Sequence, residues 1–278
     1  MNDRTQGGPI LVLGGTGKTG RRVVARLRAR EAEVRVGSRS GEPPFDWEVE
    51  ATWAPALEGA SAAYVSYYPD LAVPGAPEAV GALAERALAS GTRRLVLLSG
   101  RGEEEAQRAE EVLRRSGAEW TIVRCSWFSQ NFSEGPFLEP LLAGEVALPA
   151  DGVPEPFVDT DDIADVAVAA LTDDGYANRL YELTGPRLLT FAEAVEEIGR
   201  ASGREIRYAP ISIDAFASAM AEQEVPADVL GLLRYLFTEV LDGRNATLTD
   251  GVQLALGREP RDFADYARDA AATGVWDV

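Results

Sequence analysis

The stretch Ile10-Leu11-Val12-Leu13-Gly14-Gly15-Thr16-Gly17-Lys18-Thr19-Gly20 constrains this 278-residue chain more than any other. A short apolar strand runs into a glycine-rich turn, and an amphipathic helix leaves it, with Val23, Val24 and Leu27 on its apolar face. Glycine is needed where a backbone turns tightly or lets a ligand approach closely. A helix N-terminus supplies backbone N–H groups and a positive dipole end that suit a phosphate. Gly17-Lys18-Thr19 looks like the end of a nucleoside-triphosphate loop, but that motif needs glycine where Val12 stands. The spacing Gly14-x-x-Gly17-x-x-Gly20, between strand and helix and about 20 residues before a second strand, fits a dinucleotide loop.

The rest of the first half alternates in the same way. Glu33–Gly37, Ala62–Ser66, Leu95–Leu98 and Trp120–Arg124 read as strands. Ala76–Ser90 and Glu103–Ser116 read as helices, the latter closed by Gly117. This alternation predicts an α/β fold, a doubly wound parallel Rossmann sheet with helices on both faces. Ser126–Pro154 reads as loop with short elements, Asp161–Leu171 as a helix with acids at its start, and Leu180–Leu183 as a late strand. From Thr190, where Glu193 completes a capping-box pattern, the chain is mostly helical. The expected organisation is a dinucleotide-binding domain over 1–185, whose irregular segment 126–155 contributes to the substrate site, and a small, mostly helical cap or substrate domain over 186–278.

Composition narrows the chemistry. The chain has no histidine and one cysteine, Cys125, so internal disulfides, Cys/His zinc sites and His-based nucleophile systems are excluded. Cys125 reads as a buried strand-end residue rather than a nucleophile. A formal charge of −18 disfavours direct nucleic-acid binding, and Arg21–Arg30 reads as an exposed helix face. No apolar run approaches the roughly 18 residues of a membrane span. Met1–Pro9 is polar with no signal-peptide layout, so a cytoplasmic protein is expected.

The second strand ends Val36-Gly37-Ser38-Arg39-Ser40, without the acid that usually binds NAD ribose hydroxyls. Arg39 instead suits a 2′-phosphate, with Ser38, Ser40 and Lys18 to assist, so NADP(H) is the expected cofactor. Gly14, Thr16, Gly17, Lys18 and Thr19 would hold the pyrophosphate, and Asp46 and Trp47 would flank the adenine. Tyr67 and Ser99 fall where ribose and nicotinamide pass, and Trp127, Phe128, Gln130 and Asn131 would surround the reactive ring. Tyr67, Ser99, Trp127 and Asn131 are therefore the candidate catalytic residues. The apolar run Leu232–Phe237 suits a cap over a flat substrate.

The GGTGKTG loop, Arg39, Leu95–Ser99, the SGAEWTIVR segment ending at Arg124 and Gln130-Asn131-Phe132 together resemble NmrA-like proteins, which are atypical short-chain dehydrogenase/reductases. So do Phe157–Ala164 (FVDTDDIA) and Tyr181–Pro186 (YELTGP). The resemblance implies a Rossmann core, NADP(H) and a small C-terminal cap. It also implies one of two roles: reductase of quinones, dyes, enones or carbonyls, or redox-sensing regulator acting through a protein partner. The wider superfamily's Tyr-x-x-x-Lys pair cannot exist here, because the only lysine is Lys18. Many reductase relatives carry His or Lys on the helix before SGxxWTI; this chain has Ala106, Gln107 and Arg108 there. An NADPH-dependent oxidoreductase acting on a conjugated or aromatic small molecule is the expected function. A non-catalytic NADP(H) sensor, and a redox-neutral isomerase or cyclase, are the alternatives. A homo-oligomer is compatible with any of them.

Overall fold

The computed structural model describes residues 7–278, so most of the polar Met1–Pro9 segment lies outside the described residues. Along the chain the elements are β1 (Ile10–Leu13), α1 (Gly20–Ala29), β2 (Val34–Gly37), α2 (Trp53–Leu57), β3 (Ala62–Val65), α3 (Ala76–Ala89) and β4 (Arg94–Gly100). Next come α4 (Glu104–Arg115), β5 (Glu119–Cys125), α5 (Leu138–Leu142), β6 (Glu145–Leu148), α6 (Thr160–Thr172) and β7 (Arg179–Leu183). The last are α7 (Phe191–Ser202), β8 (Arg207–Pro210), α8 (Ile213–Glu222), α9 (Ala227–Tyr235), α10 (Gly251–Leu256) and α11 (Phe263–Ala272).

The residues divide into two compact units. The first holds the chain up to Cys125, Thr160–Leu183 and Gly251–Arg258. Among the described residues it contains a six-stranded sheet in the order β2-β1-β3-β4-β5-β7, parallel throughout. β1 and β3 are buried along their whole length, as continuous apolar runs in a parallel sheet require. Leu11, Leu13, Leu95 and Leu97 join Val80 and Leu83 of α3 and Leu113 of α4 in one core cluster. α1 buries Val23, Val24 and Leu27, the face that its periodicity predicts. α6 is buried along nearly its whole length, and Arg26 of α1 binds both Asp161 and Asp165 on it. β1 lies between β2 and β3, so the strand order reverses there and leaves a crevice at the carboxyl ends, where such sheets take ligands.

The second unit holds Ser126–Asp159, Thr184–Asp250 and Glu259–Val278. Its core is aromatic: Phe132, Phe137, Phe157, Phe191, Phe263 and Trp276 are all buried. The Trp276 indole N–H donates to the Phe132 carbonyl at 2.9 Å. Thr190 and Glu193 form the expected capping box at the start of α7.

One difference from the sequence reading stands out. The 126–155 segment groups with the later helices rather than with the sheet, and α10 returns to the first unit, so the division is not a single cut at 185. The return is fixed by contacts far apart in sequence: the Tyr176 hydroxyl donates to the Ala255 carbonyl at 2.6 Å, and Gly251 lies so close to Glu182 that a Cβ would stand 2.1 Å from its carbonyl oxygen. The second unit is mostly helical, as expected, and carries one small sheet in which β6 and β8 pair in parallel from Glu145↔Arg207 to Leu148↔Pro210. Among the described residues no helix is long and apolar enough to cross a membrane, and no acid or cysteine cluster could hold a metal ion.

Candidate functional site

The glycine turn is built for two kinds of closeness. Gly14 sits at φ +66°, donates its amide to the Gly37 carbonyl at 3.0 Å and accepts from the Gly17 amide at 2.8 Å. A Cβ on Gly20 would lie 2.1 Å from the Gly14 carbonyl oxygen, so α1 can start directly on the turn only with glycine there. Gly17 is different: a Cβ there would meet only the Gly14 oxygen, at 3.2 Å. Thr16 and Gly17 are exposed, so the turn leaves open backbone at the N-terminal approach to α1, as a phosphate would need. Lys18 is half-buried, and its carbonyl accepts from Arg22 at 2.9 Å. Thr19 is buried, and its hydroxyl accepts from the Tyr64 hydroxyl at 3.0 Å. Its side chain therefore anchors the turn to β3 rather than facing a ligand. Burial pushes the Tyr64 phenol up.

After β2 the chain folds back on itself. The Ser38 carbonyl accepts from the amides of Gly41 and Phe45, and the Ser38 and Ser40 hydroxyls lie 3.4 Å apart. Arg39 is exposed, meets no carboxylate among the described residues, and lies 5.8 Å from the ring centroid of Tyr68, itself 65% exposed. Asp46 shapes the next turn: its side chain accepts from the Glu48 amide and its carbonyl from the Trp53 indole. The Trp47 indole donates to the Ser66 carbonyl at 3.1 Å, and its ring packs on Phe45, Trp53 and Tyr67. The side-chain contacts of Asp46 and Trp47 are thus those of a loop and an aromatic wall. Tyr67 is half-buried on that wall, and burial with the Glu48 and Glu78 charges pushes its phenol up.

The ends of β4, β5 and β7 carry an ionic chain that sequence reasoning missed. The Ser99 hydroxyl donates to Glu110 Oε1 at 2.7 Å, and Arg124 binds both Glu110 oxygens through two guanidinium nitrogens. Arg124 also reaches Glu182 at 3.1 Å, and the buried Arg101 donates to Glu182 at 2.7 Å. Ser99 was expected beside the cofactor, but its hydroxyl is committed to α4. The bonds to Glu110 hold the Arg124 guanidinium further above its usual range. Cys125 is buried, and burial with the nearby Glu103 pushes its thiol up, which removes it as a thiolate nucleophile. The Glu103 carboxyl itself covers Gly100 at the tip of β4.

In the second unit, Trp127 is half-buried among Phe137, Phe191 and Phe237, with ring centroids 5.3–6.4 Å away. The Phe128–Val158 bridge fixes this segment, and the buried Gln130 amide donates to Asp159 at 2.7 Å. Asn131 is half-buried in the following turn, where its carbonyl accepts from the Phe137 amide. In the run Leu232–Phe237, only Phe237 is buried, and α9 buries no residue at all. The first unit thus brings the glycine turn, Arg39, Tyr67 and Tyr68 to one edge of the sheet, while Trp127 and Asn131 belong to the second.

A family model described as NAD(P)H-binding matches residues 14–174. The uncharacterized oxidoreductase YesF of Bacillus subtilis is 32% identical, over 96% of this chain and 98% of its own. The NAD(P)H azoreductase of Xenophilus azovorans is 30% identical, over 95% and 98%. Among solved structures, the Citrobacter sp. triphenylmethane reductase complexed with NADP(H) superposes with a TM-score of 0.74 at 18% identity, over 94% of this chain and 99% of that one.

Proposed function

Because this chain belongs to the NAD(P)H-binding family, we propose that it is an NADPH-dependent oxidoreductase that delivers hydride to a conjugated or aromatic small molecule. The observation that carries the cofactor choice is Arg39: an exposed guanidinium over the Tyr68 ring, with no carboxylate partner among the described residues, at the end of the strand beside the glycine turn. Such a group can clamp a 2′-phosphate while the stacked ring offers a face for adenine. Gly14, Thr16, Gly17 and Lys18 would hold the pyrophosphate, with Gly17 leaving room for its oxygens. The cofactor would supply the hydride, and the chain's task is then to orient it and exclude water.

The acceptor class rests on what surrounds the chemistry. Tyr67, half-buried against Trp47, offers an aromatic face that favours flat unsaturated molecules over small aliphatic ketones. Relatives named for azo and triphenylmethane substrates fit that class. Titration calorimetry with NADPH and NADH, followed by a panel of quinones, azo and triphenylmethane dyes and enones, tests the proposal. NADPH consumption with at least one acceptor is expected; none across the panel overturns it.

The missing Tyr-Lys pair, with Lys18 in the glycine turn as the single lysine, favours a second reading: an NADP(H) sensor without turnover. It requires a protein partner whose affinity differs between oxidised and reduced cofactor, by linkage.

A further inference from the structure

An acceptor that takes hydride on one atom of a double bond gathers the displaced electron pair on the other, and that atom must be protonated. The hydroxyls named so far serve this poorly. Thr19 fixes the Tyr64 hydroxyl, Glu110 holds that of Ser99, and Tyr67 is a weaker acid than an ordinary phenol. We propose, on the oxidoreductase reading given above, that the Glu103 carboxyl between β4 and α4 is the acid that protonates the acceptor.

Its placement carries the proposal. Gly100 is the last residue of β4, and the two Glu103 carboxyl oxygens lie 2.0 and 2.2 Å from where a Cβ on Gly100 would stand. The carboxyl therefore fills the space that the glycine leaves at the strand tip. Gly100 is in register with Cys125, and the Arg101 amide donates to the Cys125 carbonyl, so the group sits at the carboxyl edge where β4 meets β5. β4 is two strands from β1, about 10 Å across the sheet. A dinucleotide whose phosphates rest on the glycine turn runs along this edge, with its second nucleoside in the direction of β4.

The carboxyl is also unengaged. Glu110 and Glu182 each accept from arginines, whereas the Glu103 side chain makes no hydrogen bond or ion pair with any described residue and does not cap α4. The charged groups that act on it are all acidic: Asp70 from the loop after β3 and Glu110 from α4; the thiol of Cys125 on β5 is its other titratable neighbour. Asp70 is itself pushed up by burial, though the Ala72 amide at 2.9 Å partly offsets this. Burial first, and these carboxylates second, hold the Glu103 proton on well above the usual carboxylate range. A carboxyl held toward its neutral form thus stands at the carboxyl edge of the sheet.

One π bond of the acceptor breaks as hydride bonds to one of its atoms, and the electron pair passes to the oxygen or nitrogen at the other end of that bond or, in an enone, through the conjugated system to the carbonyl oxygen. That atom takes the proton of the Glu103 carboxyl, which becomes a carboxylate and regains a proton from water. The acceptor gains the two electrons that the reduced nicotinamide loses. A cationic dye is the exception, because hydride alone converts it to a neutral product.

Glu103→Gln keeps the shape and removes the acid. Infrared spectra of the full-length protein at neutral pH, without cofactor, should show a protonated-carboxyl band in wild type that is lost in E103Q. In turnover, the ratio of enone to cationic-dye rates should fall about 10²-fold in E103Q, while the NADPH dissociation constant stays within about twofold, well under the tenfold that 1.4 kcal/mol would give. Glu103→Asp should recover part of the ratio, and it keeps the test open should the amide variant fold poorly. A wild type without the band, or equal losses on enone and dye, overturns the inference alone. A wild type that binds no cofactor and reduces nothing overturns the oxidoreductase reading, and this inference with it, whatever the band shows.

Discussion

Arg39 owes its interest to what it lacks. Most guanidiniums described in this acidic protein meet a carboxylate, and Arg39 meets only the Tyr68 ring. Arg39→Glu replaces a clamp by a repulsion at the 2′-phosphate and leaves the glycine turn intact. A charge-assisted bond contributes about 1.5–3 kcal/mol, so NADPH affinity should fall roughly 10- to 100-fold while NADH affinity barely moves. Calorimetry with both cofactors reads the difference, and equal losses would show that Arg39 recognises no phosphate. Arg39 was legible because its meaning lies in local order: a strand, a glycine, then a base where an acid would serve NAD. Ser99 shows the opposite case. Its position at a strand end is equally local, but its hydroxyl is bound by Glu110, 11 residues on and a helix away. The same holds for Thr19 in the glycine turn, whose partner Tyr64 lies on β3. Glu103 escaped notice for a related reason: in sequence it is one acid in a run of three, and only the bare Gly100 beneath it sets it apart.

Elements with a strong period or a strong end signal were readable: β1, α1, α3, α4, α6, and α7 with its Thr190–Glu193 cap. The β6–β8 pair was not, because each strand has four residues, and the second carries Pro210 and does not alternate in burial. The N-terminus of α11 shows a long-range device of the same kind. Asp262 caps the Ala264 amide at 2.8 Å and is gripped by Arg187, which also holds Glu197. The Arg187 hydrogen bonds lower the Asp262 pKa, against a smaller opposing effect of burial. Because the folded-state value lies below the unfolded one, the stabilisation is complete above the ordinary aspartate range and drains away as pH falls through the folded value. Arg187→Ala should therefore lower the melting temperature at neutral pH and converge on wild type under acid. Melting curves at several pH values check this, and a gap that stays constant into acid would show that the pairing contributes nothing.

The charge of the whole molecule sets how pH acts on it. With 45 acids, 27 bases and no histidine, almost nothing titrates between about pH 5 and 8 except groups displaced by their surroundings. Asp70 and Glu103 are displaced in this way, both pushed upward from the usual carboxylate range by burial first, Glu103 the further. For these the linkage has the opposite sign from Asp262. The folded state keeps a proton that the unfolded chain has already released, so stability falls as pH rises from the ordinary carboxylate range toward the folded value. The net charge of −18 adds self-repulsion that salt screens over a Debye length of about 8 Å at physiological ionic strength. The comparison must therefore be made at fixed salt. Wild type should then lose melting temperature as pH rises above the ordinary carboxylate range, whereas Glu103→Gln, which cannot ionise, should lose less and overtake it at the alkaline end. Parallel curves for the two proteins would mean that Glu103 ionises in the fold as it does in the unfolded chain, and would remove the proton on which its role as an acid depends.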